Sequence, residues 1–176
     1  MAHPWHDIPI EEPVDDHFPA FIEIPKGSKV KYELDKHTGL LWVDRVLYSA
    51  VHYPANYGFL PQTYCLDGDP LDVLVLLEDP TFPGCWVAVR PLGVFWMEDE
   101  KGPDAKIVAV PAHDPNYEDV HDLSELPARL LDEIEHFFDV YKMLEPEKNS
   151  TTRGYEGRDA AYAEIEASKL RFHSSA

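Results

Sequence analysis

The spacing of apolar residues changes along the chain, and this change constrains the fold more than any other feature. In the first two thirds, apolar residues fall in short runs of strand length, separated by turns rich in proline and glycine. In the last third they repeat with a helical period. Strands followed by helices in one chain of 176 residues predict an α+β fold with a small closed sheet.

The predicted elements are distributed over the whole chain. The predicted strands are the segments 20–24, 30–34, 40–47, 72–77, 85–90, 93–97 and 106–110. A first helix should begin near Ser124 and Pro127, because an apolar stripe follows at helical spacing, formed by Leu130, Ile134, Phe137, Phe138 and Tyr141. A second helix, rich in Ala and Glu, is predicted at about 158–170. Since neither a repeat nor a linker is visible, we expect one domain over residues 1–176.

The charge excludes some classes of partner. The chain has 33 acidic and 15 basic side chains, a formal net charge of −18, which repels nucleic acid and anionic membranes. An anionic substrate must therefore be admitted by metal ions or by a few focused cations. We find no apolar run of membrane-spanning length and no signal peptide. Cys65 and Cys85 form no metal-binding spacing, so we expect reduced thiols and a cytoplasmic protein.

The run LDGDPLDVLV at residues 66–75 is the most informative segment. It places Asp67, Asp69 and Asp72 on a bent loop just before an apolar strand. Carboxylates this close repel each other unless cations neutralise them, and hard oxygen ligands suit Mg²⁺. A calcium loop of the EF-hand type is excluded, because its sixth position requires Gly and is occupied here by Asp72. An acidic turn in which Asp67 acts as a cap is the structural alternative.

A second acidic segment, EDEKGPDAK at residues 98–106, is predicted to be a loop leading into the strand at 107–110. If this strand and the strand after Asp72 are neighbours, Asp104 can face Asp67 and Asp72. Two such segments in one small domain favour a site for several metal ions over a solvated hairpin end. Lys31, Arg45, Tyr141 and Lys142 add the charges and donors that a pyrophosphate requires, although each alone could be a surface charge or a core tyrosine.

These segments resemble the family I soluble inorganic pyrophosphatases, particularly the bacterial and archaeal members. The run DGDPLDV at residues 67–73 is similar to the family signature. The resemblance follows the family order from about residue 5 to residue 144, and it is weaker beyond residue 148, where 151–157 matches loosely. Supporting matches are the segments 22–25, 31–36, 43–45, 53–58, 90–94, 104–106 and 136–142.

The resemblance implies a fold, an assembly and a reaction. The implied fold is a small twisted five-stranded OB-like β-barrel with flanking helices, and bacterial members of the family are typically hexamers. The implied reaction is Mg²⁺-dependent hydrolysis of inorganic pyrophosphate to two orthophosphates, in which a metal-activated water attacks phosphorus in line. A contact between subunits at His136 is implied in the same way.

The resemblance also implies roles for individual residues. Asp69 matches the general base. The implied metal ligands are Asp67, Asp72 and Asp104, with Asp99 and Glu23 serving further Mg²⁺ ions. The implied phosphate-contacting residues are Lys31, Arg45, Tyr57, Lys106, Tyr141 and Lys142.

Three other functions are compatible with parts of the sequence. An OB-like nucleic-acid binder would need basic grooves with stacked aromatics, which the charge opposes. A passive divalent-cation buffer would bind metal without turning over pyrophosphate. A third alternative retains the chemistry but acts on a nucleoside triphosphate or a short polyphosphate.

Overall fold

Five strands close into a barrel in the computed structural model of this chain, which describes residues 2–10 and 17–175. The strands are β1 (Phe18–Ile24), β2 (Val30–Leu34), β3 (Leu41–Val46), β4 (Asn56–Phe59), β5 (Asp72–Val75), β6 (Trp86–Asp99), β7 (Gly102–Pro111) and β8 (Ser150–Gly157). The helices are α1 (Ala128–Val140) and α2 (Arg158–Ser175), with short 3₁₀ helices at Pro115–Tyr117 and Leu123–Glu125.

The barrel strands follow the spatial order β1, β4, β5, β7, β6, and β6 pairs with β1 to close the ring. β5 and β7 run parallel, while the other barrel pairs are antiparallel. β2 and β3 form a separate hairpin, and β8 adds to the outer edge of β6. The predicted α+β fold with a five-stranded OB-like barrel and flanking helices is confirmed.

Several predicted element boundaries were wrong. The strands predicted at 85–90 and 93–97 are one strand, β6, with an irregularity between Pro91 and Gly93. The predicted loop at 98–106 is a tight hairpin: β6 runs to Asp99 and β7 starts at Gly102, so that Asp104 lies in a strand. A solvated loop and a hairpin both carry many charged residues, and composition does not separate them.

Two strands were not predicted. β4 has only four residues, and Gly58 interrupts its apolar pattern. β8 lies between the two helices, so the strands-then-helices order is not strict. Its sequence, STTRGYEG, is mostly polar because one of its edges has no partner strand among the described residues. Pairing with β6 outweighs its weak local preference.

Close packing between strands explains one glycine. A Cβ atom at Gly58 would lie 1.8 Å from the carbonyl oxygen of Phe21 on β1. Only glycine therefore allows β1 and β4 to approach this closely. The neighbouring Tyr57 consequently has a fixed position at the wall of the barrel, where its side chain is buried.

The helices cover the barrel with the side chains that the apolar stripe indicated. Ile134, Phe137 and Phe138 of α1 are buried, and the rings of Phe138 and Phe95 lie 5.5 Å apart. α2 begins at the predicted residue and runs to Ser175. Its side chains Ala161 and Ile165 contribute to the core. In the described part of the chain, no helix is both long enough and apolar enough to cross a membrane.

Candidate active site

One pocket, at the edge where β5 and β7 begin, collects charged residues that are far apart in the sequence. It encloses a cavity of about 270 Å³ and is lined by nine carboxylates and seven Lys or Arg side chains. The chain has only 15 Lys and Arg residues, so nearly half of its cations are concentrated here. All twelve predicted site residues line this pocket: Glu23, Lys31, Arg45, Tyr57, Asp67, Asp69, Asp72, Asp99, Asp104, Lys106, Tyr141 and Lys142.

The parallel pairing of β5 with β7 builds the centre of the pocket. Asp72 lies directly opposite Lys106, and Asp104 lies two residues before Lys106 on the same face of β7. The Lys106 Nζ atom donates to Asp72 Oδ2 at 2.8 Å, to Asp104 Oδ2 at 2.9 Å and to the Tyr57 hydroxyl at 2.9 Å. Tyr57 in turn donates to Asp72. The two acidic segments are therefore neighbours, as the sequence analysis required.

Burial and mutual repulsion alter the protonation of this central group. Burial raises the pKa of Asp104 to about 6, and the charge of Asp72 adds to the increase while Lys106 opposes it. Burial disfavours the Lys106 ammonium, but Asp104 and Asp72 outweigh this and hold its pKa well above the ordinary value. The rings of Tyr57 and Phe138 lie 5.2 Å and 5.1 Å from the same ammonium. Lys106 thus acts as a buried cation between two carboxylates.

Two further carboxylates line the same cavity. Glu23 on β1 is almost fully buried and accepts a hydrogen bond from the Leu34 backbone N–H at 2.8 Å. Burial, with a contribution from the Asp72 charge, raises the pKa of Glu23 to about 8. Asp67 accepts from the Asp69 backbone N–H at 3.0 Å, and burial raises its pKa as well. A nearby cation would stabilise the ionised form of each of these carboxylates, because burial leaves the negative charge poorly solvated.

Asp69 differs from these carboxylates because two lysines hold it. Its Oδ1 atom is paired with Lys36, and its Oδ2 atom lies 3.2 Å from the Lys101 ammonium. Burial alone would raise the pKa of Asp69, but Lys36 and Lys101 outweigh burial and lower it. The side chain is therefore an ionised acceptor held at the pocket wall.

The remaining predicted cations are each paired with a carboxylate. Lys31 on β2 lies 3.2 Å from Glu33 and 3.3 Å from Asp44. Arg45 on β3 is paired with Asp44 and with the buried carboxylate of Glu145, which follows α1.

Lys142 and Tyr141 follow α1 at the opposite wall. Lys142 is buried and lies 3.0 Å from Asp99 and 3.2 Å from Glu100. Its ammonium lies 5.5 Å from the centre of the Tyr141 ring. Tyr141 is buried, and burial raises the pKa of its hydroxyl, which therefore remains protonated and able to donate a hydrogen bond.

Some residues that line the pocket were not predicted from the sequence. Glu33 could have been found, because Lys31 and Glu33 are two residues apart and share one face of β2. Asp44 could not, because it lies at an irregularity in the pairing of β2 with β3, and regular alternation would place it on the face opposite to Arg45. Predicting Glu100 and Lys101 would have required knowledge of the hairpin at the end of β6. Nothing local in the sequence indicated Trp5, which reaches the pocket from the N-terminal segment 2–10.

The donor set fits hard divalent cations. Asp67, Asp72, Asp99, Asp104 and Glu23 bring carboxylate oxygens to one buried pocket, which is the ligand chemistry that Mg²⁺ prefers. Among residues 2–10 and 17–175, no three side chains are already grouped with metal-ligand geometry. Lysine ammonium groups lie among the carboxylates instead, with Lys106 between Asp72 and Asp104 and Lys142 beside Asp99.

Comparison with known proteins gives consistent results. Residues 20–173 match the family described as inorganic pyrophosphatase. The chain is 53% identical over 144 residues to soluble inorganic pyrophosphatase 2 of Chlamydomonas reinhardtii, covering 82% of this chain and 75% of that protein.

Solved structures agree with this relationship. The inorganic pyrophosphatase of Coxiella burnetii superposes with a TM-score of 0.90 at 47% identity, covering 94% of this chain and 99% of that one. The Thermus thermophilus inorganic pyrophosphatase gives a TM-score of 0.92 at 40% identity, covering 98% and 99%. This chain belongs to the inorganic pyrophosphatase family.

Proposed function

We propose that this inorganic diphosphatase hydrolyses inorganic pyrophosphate to two orthophosphates in a Mg²⁺-dependent reaction, with Asp69 as the general base. The observation that supports this most directly is the composition of one pocket. In a chain with a net charge of −18, seven cations and nine carboxylates surround a cavity of about 270 Å³. The carboxylates suit divalent cations, and the lysines and arginine suit phosphate.

Asp67, Asp72 and Asp104 would hold the principal Mg²⁺ ions, and Asp99 and Glu23 would serve ions that arrive with the substrate. Bound Mg²⁺ supplies positive charge that admits the anionic substrate and lowers the proton affinity of coordinated water. The family relationship supports a divalent metal cofactor. The choice of Mg²⁺ rests on the hard oxygen character of all five side chains.

Asp69 would accept the proton of the attacking water. It is ionised, its two oxygens lie at the pocket wall, and its partners Lys36 and Lys101 have exposed side chains (44% and 57% exposed) that solvent and substrate can reach. Attack in line with the leaving phosphate requires the base and the substrate cations to be held in fixed relative positions. Strand pairing positions Lys31, Arg45 and Lys106, and the paired lysines Lys36 and Lys101 hold Asp69.

Lys31, Arg45, Tyr57, Lys106, Tyr141 and Lys142 would bind the phosphates and offset the charge that develops on the leaving group. Several of these cations are paired with carboxylates, such as Lys31 with Glu33 and Lys142 with Asp99. Substrate phosphate would compete with the carboxylate of each pair for its cation, and metal ions would compete with the cation for the carboxylate. Pyrophosphate and Mg²⁺ should therefore bind interdependently.

We further propose that residues 1–176 form one catalytic domain, that the protein is cytoplasmic, and that six copies assemble into a hexamer. Exposed apolar side chains on and beside β3, including Trp42, Val43 and Val46, support an assembly because contact between copies would bury them. His136 is exposed on α1, which makes it accessible to a neighbouring copy.

A phosphate-release assay tests the activity. Purified protein should release phosphate from pyrophosphate in the presence of Mg²⁺, EDTA should abolish the release, and added Mg²⁺ should restore it. ATP and tripolyphosphate serve as comparison substrates for the alternative specificity. Turnover that survives exhaustive chelation would contradict the metal-dependent mechanism, and metal binding without turnover would identify a passive cation buffer.

A further inference from the structure

The N-terminal segment contributes a wall residue to the active-site pocket, although it lies outside the matched family region 20–173. Trp5 is 4% exposed, and its indole N–H donates to the Thr63 carbonyl oxygen at 2.8 Å. Its ring stacks on Tyr64 with centroids 5.6 Å apart and an interplanar angle of 17°. The backbone N–H of Gln62 donates to the Trp5 carbonyl oxygen at 2.8 Å. Trp5 is thus fixed to the segment 62–64, which precedes the loop that carries Asp67 and Asp69.

Lys36 connects this segment to Asp69. Its ammonium lies 5.8 Å from the centre of the Trp5 ring, and His3 contacts its backbone carbonyl oxygen at 3.1 Å. The same ammonium donates to the Gly68 carbonyl oxygen at 3.2 Å and is paired with Asp69 Oδ1. Both the backbone and the tip of Lys36 are therefore in contact with the N-terminal segment.

We propose that Trp5 and Lys36 are positioning residues for Asp69. The proposal rests on the proposed function, in which Asp69 accepts the proton of the attacking water. Asp69 lies in the loop before β5, beside Gly68 with its left-handed φ of +88°, and its carboxylate contacts the side chains of Lys36 and Lys101. Trp5 limits the positions of the Lys36 ammonium through its ring face, and the ammonium holds Oδ1. The carboxylate plane is then fixed with Oδ2 available to the substrate.

Lys101 holds the second oxygen in a different way. It lies 3.2 Å from Asp69 Oδ2 and belongs to the turn between β6 and β7. Its side chain is 57% exposed, against 44% for Lys36, so the two lysines differ in their contacts more than in their exposure. No aromatic ring faces its ammonium in the described structure. Lys101 can therefore leave Oδ2 when substrate enters, whereas Lys36 stays with Oδ1. This difference assigns the orientation of Asp69 to Lys36.

The first experiment compares Lys36→Met with the charge-matched control Lys29→Met, which changes a lysine outside the pocket. Lys36→Met should lower kcat about 10- to 100-fold, the range expected when a reacting group is misplaced, with a much smaller change in KM. Lys36→Arg should restore most of the lost kcat, because a guanidinium can hold Oδ1 and face the ring. Lys29→Met should retain the parent kcat.

A double-mutant cycle tests whether Trp5 acts through Lys36. Trp5→Leu should lower kcat, and the double variant Trp5→Leu/Lys36→Met should be no slower than Lys36→Met alone, because both changes remove the same orientation. Trp5→Phe should retain most of kcat, since it keeps a ring under the ammonium. Trp86→Leu, at a 53% exposed tryptophan outside the active-site pocket, is a control for the same substitution and should retain the parent kcat. Multiplicative losses in the double variant would overturn the role of Trp5.

Two further measurements distinguish a failure of the positioning role from a failure of the proposed function. If Asp69→Asn retains near-normal kcat, the assignment of the base is wrong. If Asp69→Asn loses activity while Lys36→Met keeps kcat within about twofold of the parent, well short of the orientation effect, the positioning role is wrong. Calorimetric Mg²⁺ titration provides a readout besides activity: Lys36→Met should bind Mg²⁺ no more weakly than the parent. Weaker binding would mean that Lys36 supports the metal site instead.

Discussion

Asp72 on β5 and Lys106 on β7 lie directly opposite each other in a parallel strand pair, with 2.8 Å between Asp72 Oδ2 and Lys106 Nζ. Lys106 is 2% exposed and contacts Asp104 as well, so that one buried cation balances two carboxylates. Removing one member of such a group leaves an uncompensated buried charge. Stability and metal binding should therefore be linked at this position.

Lys106→Met should destabilise the protein by about 3 kcal/mol or more in the absence of divalent cations, because Asp72 and Asp104 lose their shared partner. Mg²⁺ should then raise the melting temperature of the variant more than that of the parent, since bound cations replace the lost charge. Thermal unfolding with and without Mg²⁺ measures both effects, with Lys29→Met as the control. Equal Mg²⁺ responses of variant and parent would show that the carboxylates do not share their partner with the metal.

Asp72→Asn and Asp69→Asn should differ in what they affect. Asp72→Asn removes ligand charge, so Mg²⁺ affinity and activity should fall together. Asp69→Asn should lower kcat about 10²- to 10⁴-fold, the usual contribution of a general base, with Mg²⁺ affinity closer to the parent value. Calorimetric Mg²⁺ titration beside steady-state kinetics distinguishes the two. Similar losses of Mg²⁺ affinity in both variants would remove the distinction between ligand and base.

Asp122 joins the short helix at Leu123–Glu125 to the start of α2. Its carboxylate accepts from the Ser124 and Arg158 backbone N–H groups, each at 3.0 Å. Asp122→Ala should destabilise the protein by about 1 kcal/mol at pH 7, as for a lost helix cap. Urea unfolding of parent and variant measures this difference.

The difference in unfolding free energy between the parent and Asp122→Ala should depend on pH in a defined direction. The hydrogen bonds from Arg158 and Ser124 lower the pKa of Asp122 in the folded state. The charge-dependent contribution is therefore complete above the unfolded pKa of about 3.9 and is lost as the pH falls through the lower folded pKa. The gap in unfolding free energy between parent and Asp122→Ala should stay constant down to about pH 4 and narrow as the pH falls below that value. A gap that does not narrow there would contradict a charged cap.

Light scattering coupled to size exclusion tests the assembly. Six chains of 20.1 kDa should elute together with a mass of about 120 kDa at neutral pH, as expected for a closed symmetric hexamer. A monomer at micromolar concentration and neutral pH would contradict the hexamer.

Local patterns predicted most elements of the fold but not their exact extent. The stripe that includes Ile134, Phe137 and Phe138 predicted α1, because helical packing buries one face whatever the partner is. β8 was missed because a mostly polar edge strand forms by pairing with β6, and this pairing leaves no apolar pattern. The segment around Asp104 was predicted as a loop but is a hairpin. The prediction was wrong because charged residues are common in both.

The types of residue that meet in the pocket follow from the sequence alone. Clustered aspartates require cations, and this need is visible in the run at residues 67–73 without any coordinates. The identity of the cations that pair with these aspartates depends on the three-dimensional fold. The partners of Asp69 are Lys36 and Lys101, which lie 33 and 32 residues away along the chain, and Trp5 faces Lys36 from the N-terminal segment. Such contacts depend on strand pairing and chain crossing, whereas local sequence patterns report only neighbours along the chain.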